Sequence, residues 1–199
     1  MTSPAPAVSA WNLANVLTVA RLVLVPVFLL ALFAEDGEST LWRVLAFAAF
    51  AVASFTDRID GEIARRRGLV TDFGKVADPI ADKALIGAAL IGLSLLDELP
   101  WWVTFVILVR EVGITALRFV VIRHGVLPAS RGGKLKTLLQ AVAIGLLVLP
   151  TTGLVHTFAL GVMAAAVVVT VVTGVDYVFR AVTLRRTSDR TARKRARRQ

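Results

Sequence analysis

The chain has 199 residues, 56% of them hydrophobic, and a formal charge of +9; its mean hydropathy is +0.73. That is more apolar surface than one soluble core hides, so the chain must meet lipid. The lack of cysteine excludes a disulfide framework, a zinc-thiolate centre and a thiol nucleophile. The basic excess follows from membrane topology, and with no aromatic interleaving for base stacking it does not point to nucleic acid.

Met1 to Ala10 is rich in Pro, Ser and Ala and is expected to be disordered. Trp11 to Ala20 reads as interfacial, with Trp11 a headgroup-level anchor. The first apolar stretch, Val16 to Phe33, is too long for a signal-peptide core and has no small-residue cleavage site leading to a soluble domain, so it is expected to be a retained span. Hydropathy and periodicity predict helical spans at 14–34, 41–64, 76–96, 101–123, 135–150 and 154–179. The expected fold class is all-α: a polytopic membrane protein of six transmembrane helices. Residues 1–13 form the interfacial N-terminal segment, 14–180 the transmembrane domain and 181–199 a basic tail. Arg185 to Gln199 holds eight Lys or Arg among 15 residues and is expected to be a disordered, membrane-hugging segment.

The breaks between spans alternate in charge. Glu35-Asp36-Gly37-Glu38, Asp97-Glu98-Leu99-Pro100 and Pro150-Thr151-Thr152-Gly153 carry no Lys or Arg. Arg65-Arg66-Arg67 with Lys75, then Arg123, Arg131, Lys134 and Lys136, then the tail, form the basic set. The positive-inside rule puts the basic loops and both termini in the cytoplasm, in a bacterial-type plasma membrane. Arg43 alone falls near an outer end, where snorkelling is expected to accommodate it.

Four aspartates stand at the end of the second span and the start of the third. At 100° per residue, positions 57, 60, 61 and 64 share one helix face, which places Asp57 and Asp60 beside the small residues Gly61 and Ala64. Asp78 and Asp82, four apart, share a face of the third span. Like charges at such spacing next to hydrocarbon call for a compensating cation. An all-oxygen donor set suits two hard divalent ions, Mg²⁺ or Mn²⁺, which at about 3.5–4 Å separation clamp a pyrophosphate and activate a hydroxyl. The competing structural reading is of helix caps and interfacial charges. It suits a single aspartate better than the set.

Asp57, two residues, Asp60-Gly61, two, Ala64-Arg65, eight, Gly74, three, Asp78, three and Asp82 form a string that resembles, residue for residue, the signature of the CDP-alcohol phosphotransferase family. The resemblance implies a six-span homodimer with its active site at the cytoplasmic side and a CDP-linked lipid, CDP-diacylglycerol, as donor. It implies that Asp57, Asp60 and Asp78 bind one metal and Asp57, Asp78 and Asp82 the other, with Asp82 also the general base. Gly61, Ala64 and Arg65 would hold the CDP moiety, with Gly74 leaving room beside it. Arg58 and Glu62 depart from the uncharged residues common at those places. They lie off the aspartate face, and at i, i+4 read as a solvated ion pair.

The acceptor must be read from the remaining polar residues. Asn15, Thr18 and Arg21 enter the first span at i, i+3, i+6. Arg110-Glu111 and Arg118 interrupt the fourth, the two arginines lying within about 80° of each other on the helix. Lys134 and Lys136 follow Gly132-Gly133. Arg110, Arg118, Lys134 and Lys136 suit an anion pocket for a phosphorylated alcohol. Against this, Arg110 with Glu111 also reads as a buried structural pair, and the lysines as positive-inside charge. The segments from Arg110 to Arg118 and from Gly133 to Thr137, with Asn15 to Thr18, resemble the branch of the family that uses glycerol 3-phosphate, and imply that Asn15 and Thr18 serve the CDP-lipid. Phosphatidylglycerol and inositol phosphate are the acceptors of competing branches. An ion transporter would need a polar ladder across the membrane, and none accompanies these aspartates.

Overall fold

The computed structural model describes the backbone of residues 13–67, 72–121 and 131–196, and the side chains of 16–56, 80–81, 83–117 and 133–184. Within these residues all regular structure is helical: α1 (Leu13–Phe33), a single 3-10 turn (Ala34–Gly37), α2 (Thr40–Arg67), α3 (Asp72–Leu95), α4 (Trp101–Val121), α5 (Arg131–Val148) and α6 (Gly153–Ala196). Val16–Gly37 and Gly153–Leu184 are long and apolar enough to cross a bilayer, while Thr40–Thr56 and Lys83–Leu95 are shorter apolar stretches. The expectations for residues 1–12 lie outside the described residues.

Helices α3 and α5 begin four residues before the expected spans, at Asp72 and Arg131. Hydropathy marks where a helix enters lipid, while backbone hydrogen bonding continues through the charged turns that precede it. The same reason corrects the expected disordered tail: α6 runs on to Ala196, so residues 185–196 of the basic stretch are helical, and 197–199 lie outside the described residues. No Gly or Pro interrupts the chain after Gly174, and Arg180 pairs with Asp176 one turn back at 2.9 Å.

The chain divides into two compact units. The first comprises residues 1–99 and 144–156, in which α1 packs on α2 and α3, and α2 on α3. Phe28 of α1 and Phe50 of α2 stack tilted with centroids 5.9 Å apart, among fully buried Leu32, Ala46, Ala53, Leu90 and Leu93. A Cβ on Gly92 would lie 2.7 Å from the Leu32 side chain, so α1 and α3 approach closely only because that position is bare.

One end of this unit is closed by hydrogen-bonded caps. At the end of α3, Glu98 N–H donates to the Leu93 carbonyl (3.0 Å) and Asp97 N–H to that of Ser94 (3.3 Å); Asp97, at φ 58°, supplies the left-handed residue of a Schellman cap. That cap fixes Glu98, whose carboxylate accepts from Arg43 of α2 at 2.8 Å. The Arg43 guanidinium also donates to the last carbonyls of α5, Val148 (2.7 Å) and Leu147 (2.9 Å). Arg43 is 3% exposed. It does not snorkel; it neutralises a helix C-terminus inside the protein.

The second unit comprises residues 100–143 and 157–199. Val103, Ile107, Ala159, Met163, Ala166 and Tyr177 form its buried side. Its outer faces are apolar: Phe105, Val109 and Val112 on α4, and Val168, Val172, Val175 and Phe179 on α6, stand exposed at helical spacing. On α1 the corresponding stripe is Val16, Val19, Val23, Val27 and Leu30. Contiguous exposed stripes of this kind, with Trp101 and Trp102 exposed where α4 begins, mark a membrane protein.

Candidate active site

The four aspartates fall on two helices that pack in one unit. Asp57 and Asp60, with Gly61, Ala64 and Arg65, belong to the C-terminal half of α2, and Gly74, Asp78 and Asp82 to the N-terminal half of α3. Since α2 is helical through Arg67, the i, i+3, i+4, i+7 spacing of residues 57, 60, 61 and 64 is that of one helix face. The side chains of all eight lie outside the described residues. In the sequence Asp57 and Asp60 are followed by Arg65-Arg66-Arg67, and Asp78 and Asp82 are preceded by Lys75, so both pairs adjoin the basic connection between the two helices.

On α1, Asn15 falls within the helix and its side chain lies outside the described set, whereas Thr18 is 1% exposed. Arg21, one turn further, is equally buried and is among the largest fully buried side chains. An arginine keeps its charge at any physiological pH, so its burial on a helix packed against α2 and α3 sets a cation inside the unit that carries the aspartates.

In the second unit the structure joins two of the four acceptor candidates through a third residue. Glu111 of α4 accepts from its neighbour Arg110 at 3.1 Å and from Lys136 of α5, both at its Oε1. Arg110 reaches on to α6, where its NH2 donates to Thr173 Oγ1 at 3.2 Å. Lys136 is buried and Lys134 exposed. Lys134 therefore stands apart from the ion-paired set, and the Arg118 side chain lies outside the described residues. The pairing of Arg110 with Glu111 read from the sequence is thus present, but it is half of a three-residue cluster.

Two contributors escaped the sequence: Thr173 and Gly174 sit in a run of Val, Ala and Thr that reads as plain span. Glu111 was legible as a partner of Arg110, but its link to Lys136 shows only in three dimensions. A Cβ on Gly174 would lie 3.2 Å from Arg110 Cγ and 3.6 Å from its Nε, so that glycine makes room for the arginine. The only local signal was small and polar residues side by side in an otherwise bulky helix.

An all-helical membrane protein with carboxylates paired on two packed helices has close counterparts. Residues 11–172 match the family model described as CDP-alcohol phosphatidyltransferase. A "Probable phosphatidylglycerophosphate synthase" of Mycobacterium tuberculosis is 64% identical over 170 residues, covering 85% of this chain and 81% of that protein. A "CDP-diacylglycerol--glycerol-3-phosphate 3-phosphatidyltransferase" of Bacillus subtilis is 39% identical over 180 residues, with 84% and 93% covered. A "Cardiolipin synthase (CMP-forming)" of Streptomyces coelicolor is 38% identical over 117 residues, 57% of this chain and 53% of that protein. The chain belongs to the CDP-alcohol phosphatidyltransferase family.

Proposed function

We propose that this enzyme transfers the phosphatidyl group of CDP-diacylglycerol to sn-glycerol 3-phosphate, releasing phosphatidylglycerol phosphate and CMP. The observation that carries the acceptor is the likeness over most of both chains to the Mycobacterium tuberculosis and Bacillus subtilis proteins named for that product or reaction. The cation pair Arg110 and Lys136 is consistent with an acceptor that brings its own phosphate.

Membership of the family implies dependence on a divalent metal. The residues fit such an ion: the donor set is carboxylate oxygen, carried on two helices in mutual contact, with no cysteine to favour a softer metal. In this reading Asp57, Asp60, Asp78 and Asp82 hold two ions, Mg²⁺ or Mn²⁺, which when bound neutralise the pyrophosphate and the departing CMP. Asp82 takes the proton from the 1-hydroxyl of the acceptor. That oxygen forms a bond to the β-phosphorus of the donor as the bond to the CMP oxygen breaks, and the phosphoryl group passes between them. Gly61, Ala64, Arg65 and Gly74, with Asn15 and Thr18, serve the CDP-lipid, and Arg110, Arg118, Lys134 and Lys136 the acceptor phosphate.

The same reading has six membrane-spanning helices, cytoplasmic termini, a cytoplasmic-side active site in a bacterial-type plasma membrane and a homodimer. The apolar stripes on α1, α4 and α6 and the basic loops support it. The deciding experiment presents purified enzyme with labelled CDP-diacylglycerol and one acceptor at a time. CMP release with glycerol 3-phosphate is expected; release with only phosphatidylglycerol, the acceptor suggested by the partial likeness to a cardiolipin synthase, or with only inositol phosphate rejects the proposal.

A further inference from the structure

The acceptor assignment leaves Glu111 unused, although it sits at the centre of the cluster. A carboxylate is an odd residue to keep beside a phosphate-binding pair, because it repels the ligand. Its contacts give the reason. One oxygen, Oε1, takes hydrogen bonds from Arg110 NH1 and from Lys136 Nζ, and so ties the cation of α4 to that of α5. Arg110 is held a second time by Thr173 Oγ1. The Thr173 hydroxyl is close to the Val169 carbonyl (2.6 Å) and donates to it, which leaves its lone pairs for the arginine. The bare Gly174 lets the Arg110 stem lie against α6.

Donors remain after these bonds are counted. An arginine has five N–H groups and a lysine ammonium three. Arg110 spends two and Lys136 one, and Arg110 Nε is buried with no hydrogen-bond partner among the described residues. Arg110, Lys136 and Glu111 together carry a net charge of +1. The set can accept a phosphate without releasing Glu111. Without that carboxylate two cations on neighbouring helices repel, and two long side chains regain rotamer freedom that binding must then remove.

We propose that Glu111 is a positioning residue, which with Thr173 and Gly174 fixes Arg110 and Lys136 at the spacing that receives the phosphate of the acceptor; this rests on the acceptor assignment made above. Steady-state kinetics with each substrate varied in turn tests it. Glu111→Gln keeps the size of the side chain and removes its charge. It is expected to raise KM for glycerol 3-phosphate about tenfold, the worth of one charge-assisted hydrogen bond, with kcat and KM for CDP-diacylglycerol close to wild type. Glu111→Asp is expected to recover part of the loss.

Gly174→Ala reaches the same arginine through sterics and leaves every charge in place. It is expected to raise the acceptor KM about threefold, and it carries the test should Glu111→Gln lose its thermal transition in detergent. An acceptor KM within the wild-type error, or an equal rise in both KM values, overturns the proposal. Wild-type enzyme that ignores glycerol 3-phosphate would instead overturn the acceptor assignment, so the two failures are distinguishable.

Discussion

Arg43 shows what one side chain does when it must be charged inside a membrane protein. Its guanidinium is planar and cannot lose its proton, so burial demands acceptors on several sides, and two α5 carbonyls with the Glu98 carboxylate provide them. His156, with Nδ1 3.7 Å from Glu98 Oε2, completes the group. Arg43→Leu is expected to cost about 2 kcal/mol, below the roughly 3–5 kcal/mol of a fully buried pair because Glu98 is 28% exposed. A thermal unfolding midpoint in detergent equal to wild type would show that these bonds contribute nothing. The charge was visible in the sequence as an exception to the loop pattern, but its partners were not, since the α5 carbonyls lie 104 and 105 positions away. The aspartates are the opposite case. Their spacing lies within two adjacent helices, so short-range periodicity suffices to read them as a set. Asp57→Asn, Asp60→Asn, Asp78→Asn and Asp82→Asn are each expected to abolish CMP release without unfolding the enzyme. Chelation by EDTA should do the same reversibly, with activity returning on Mg²⁺ or Mn²⁺. Full activity in any one of the four variants would break the two-metal assignment.

At the scale of the element, helix existence was legible and helix extent was not. All six spans were expected where helices stand, because apolar runs of this length have few other solutions in lipid. The ends moved outward at α3, α5 and α6, where charged and small residues continue the backbone ladder beyond the hydrocarbon. Helix packing was the least legible, because it depends on which small residues face a neighbour. Gly92 illustrates this: its sequence context, Leu90-Ile91-Gly92-Leu93, gives no sign that Leu32 of α1 occupies the space over it. Gly92→Ala would force the wholly buried Leu32 from its place, with an expected destabilisation of about 1–3 kcal/mol. The unfolding midpoint in detergent measures it, and Leu32→Ala combined with Gly92→Ala should show less than additive loss because the smaller partner vacates the contested volume.

For the whole molecule, the charge asymmetry of the loops is the basis of the proposed orientation, with both termini in the cytoplasm. The apolar part of α6, Gly153–Leu184, has 32 residues, about 48 Å at 1.5 Å per residue. That exceeds the roughly 30 Å hydrocarbon core, so the helix must tilt or stand clear of it at an end. The sequence after Leu184 holds eight Lys or Arg, each worth about 1 kcal/mol beside an anionic headgroup. In the proposed orientation those charges meet the headgroups of the cytoplasmic leaflet. In the proposed topology the basic connection after α2 also faces the cytoplasm, where a water-soluble acceptor and CMP would be exchanged. Because the chain has no cysteine, single cysteines report sidedness directly. Asp36→Cys and Thr152→Cys are expected to react with a membrane-impermeant maleimide in intact cells, and Thr191→Cys only after permeabilisation. Labelling of Thr191→Cys from outside would reject the proposed cytoplasmic C-terminus.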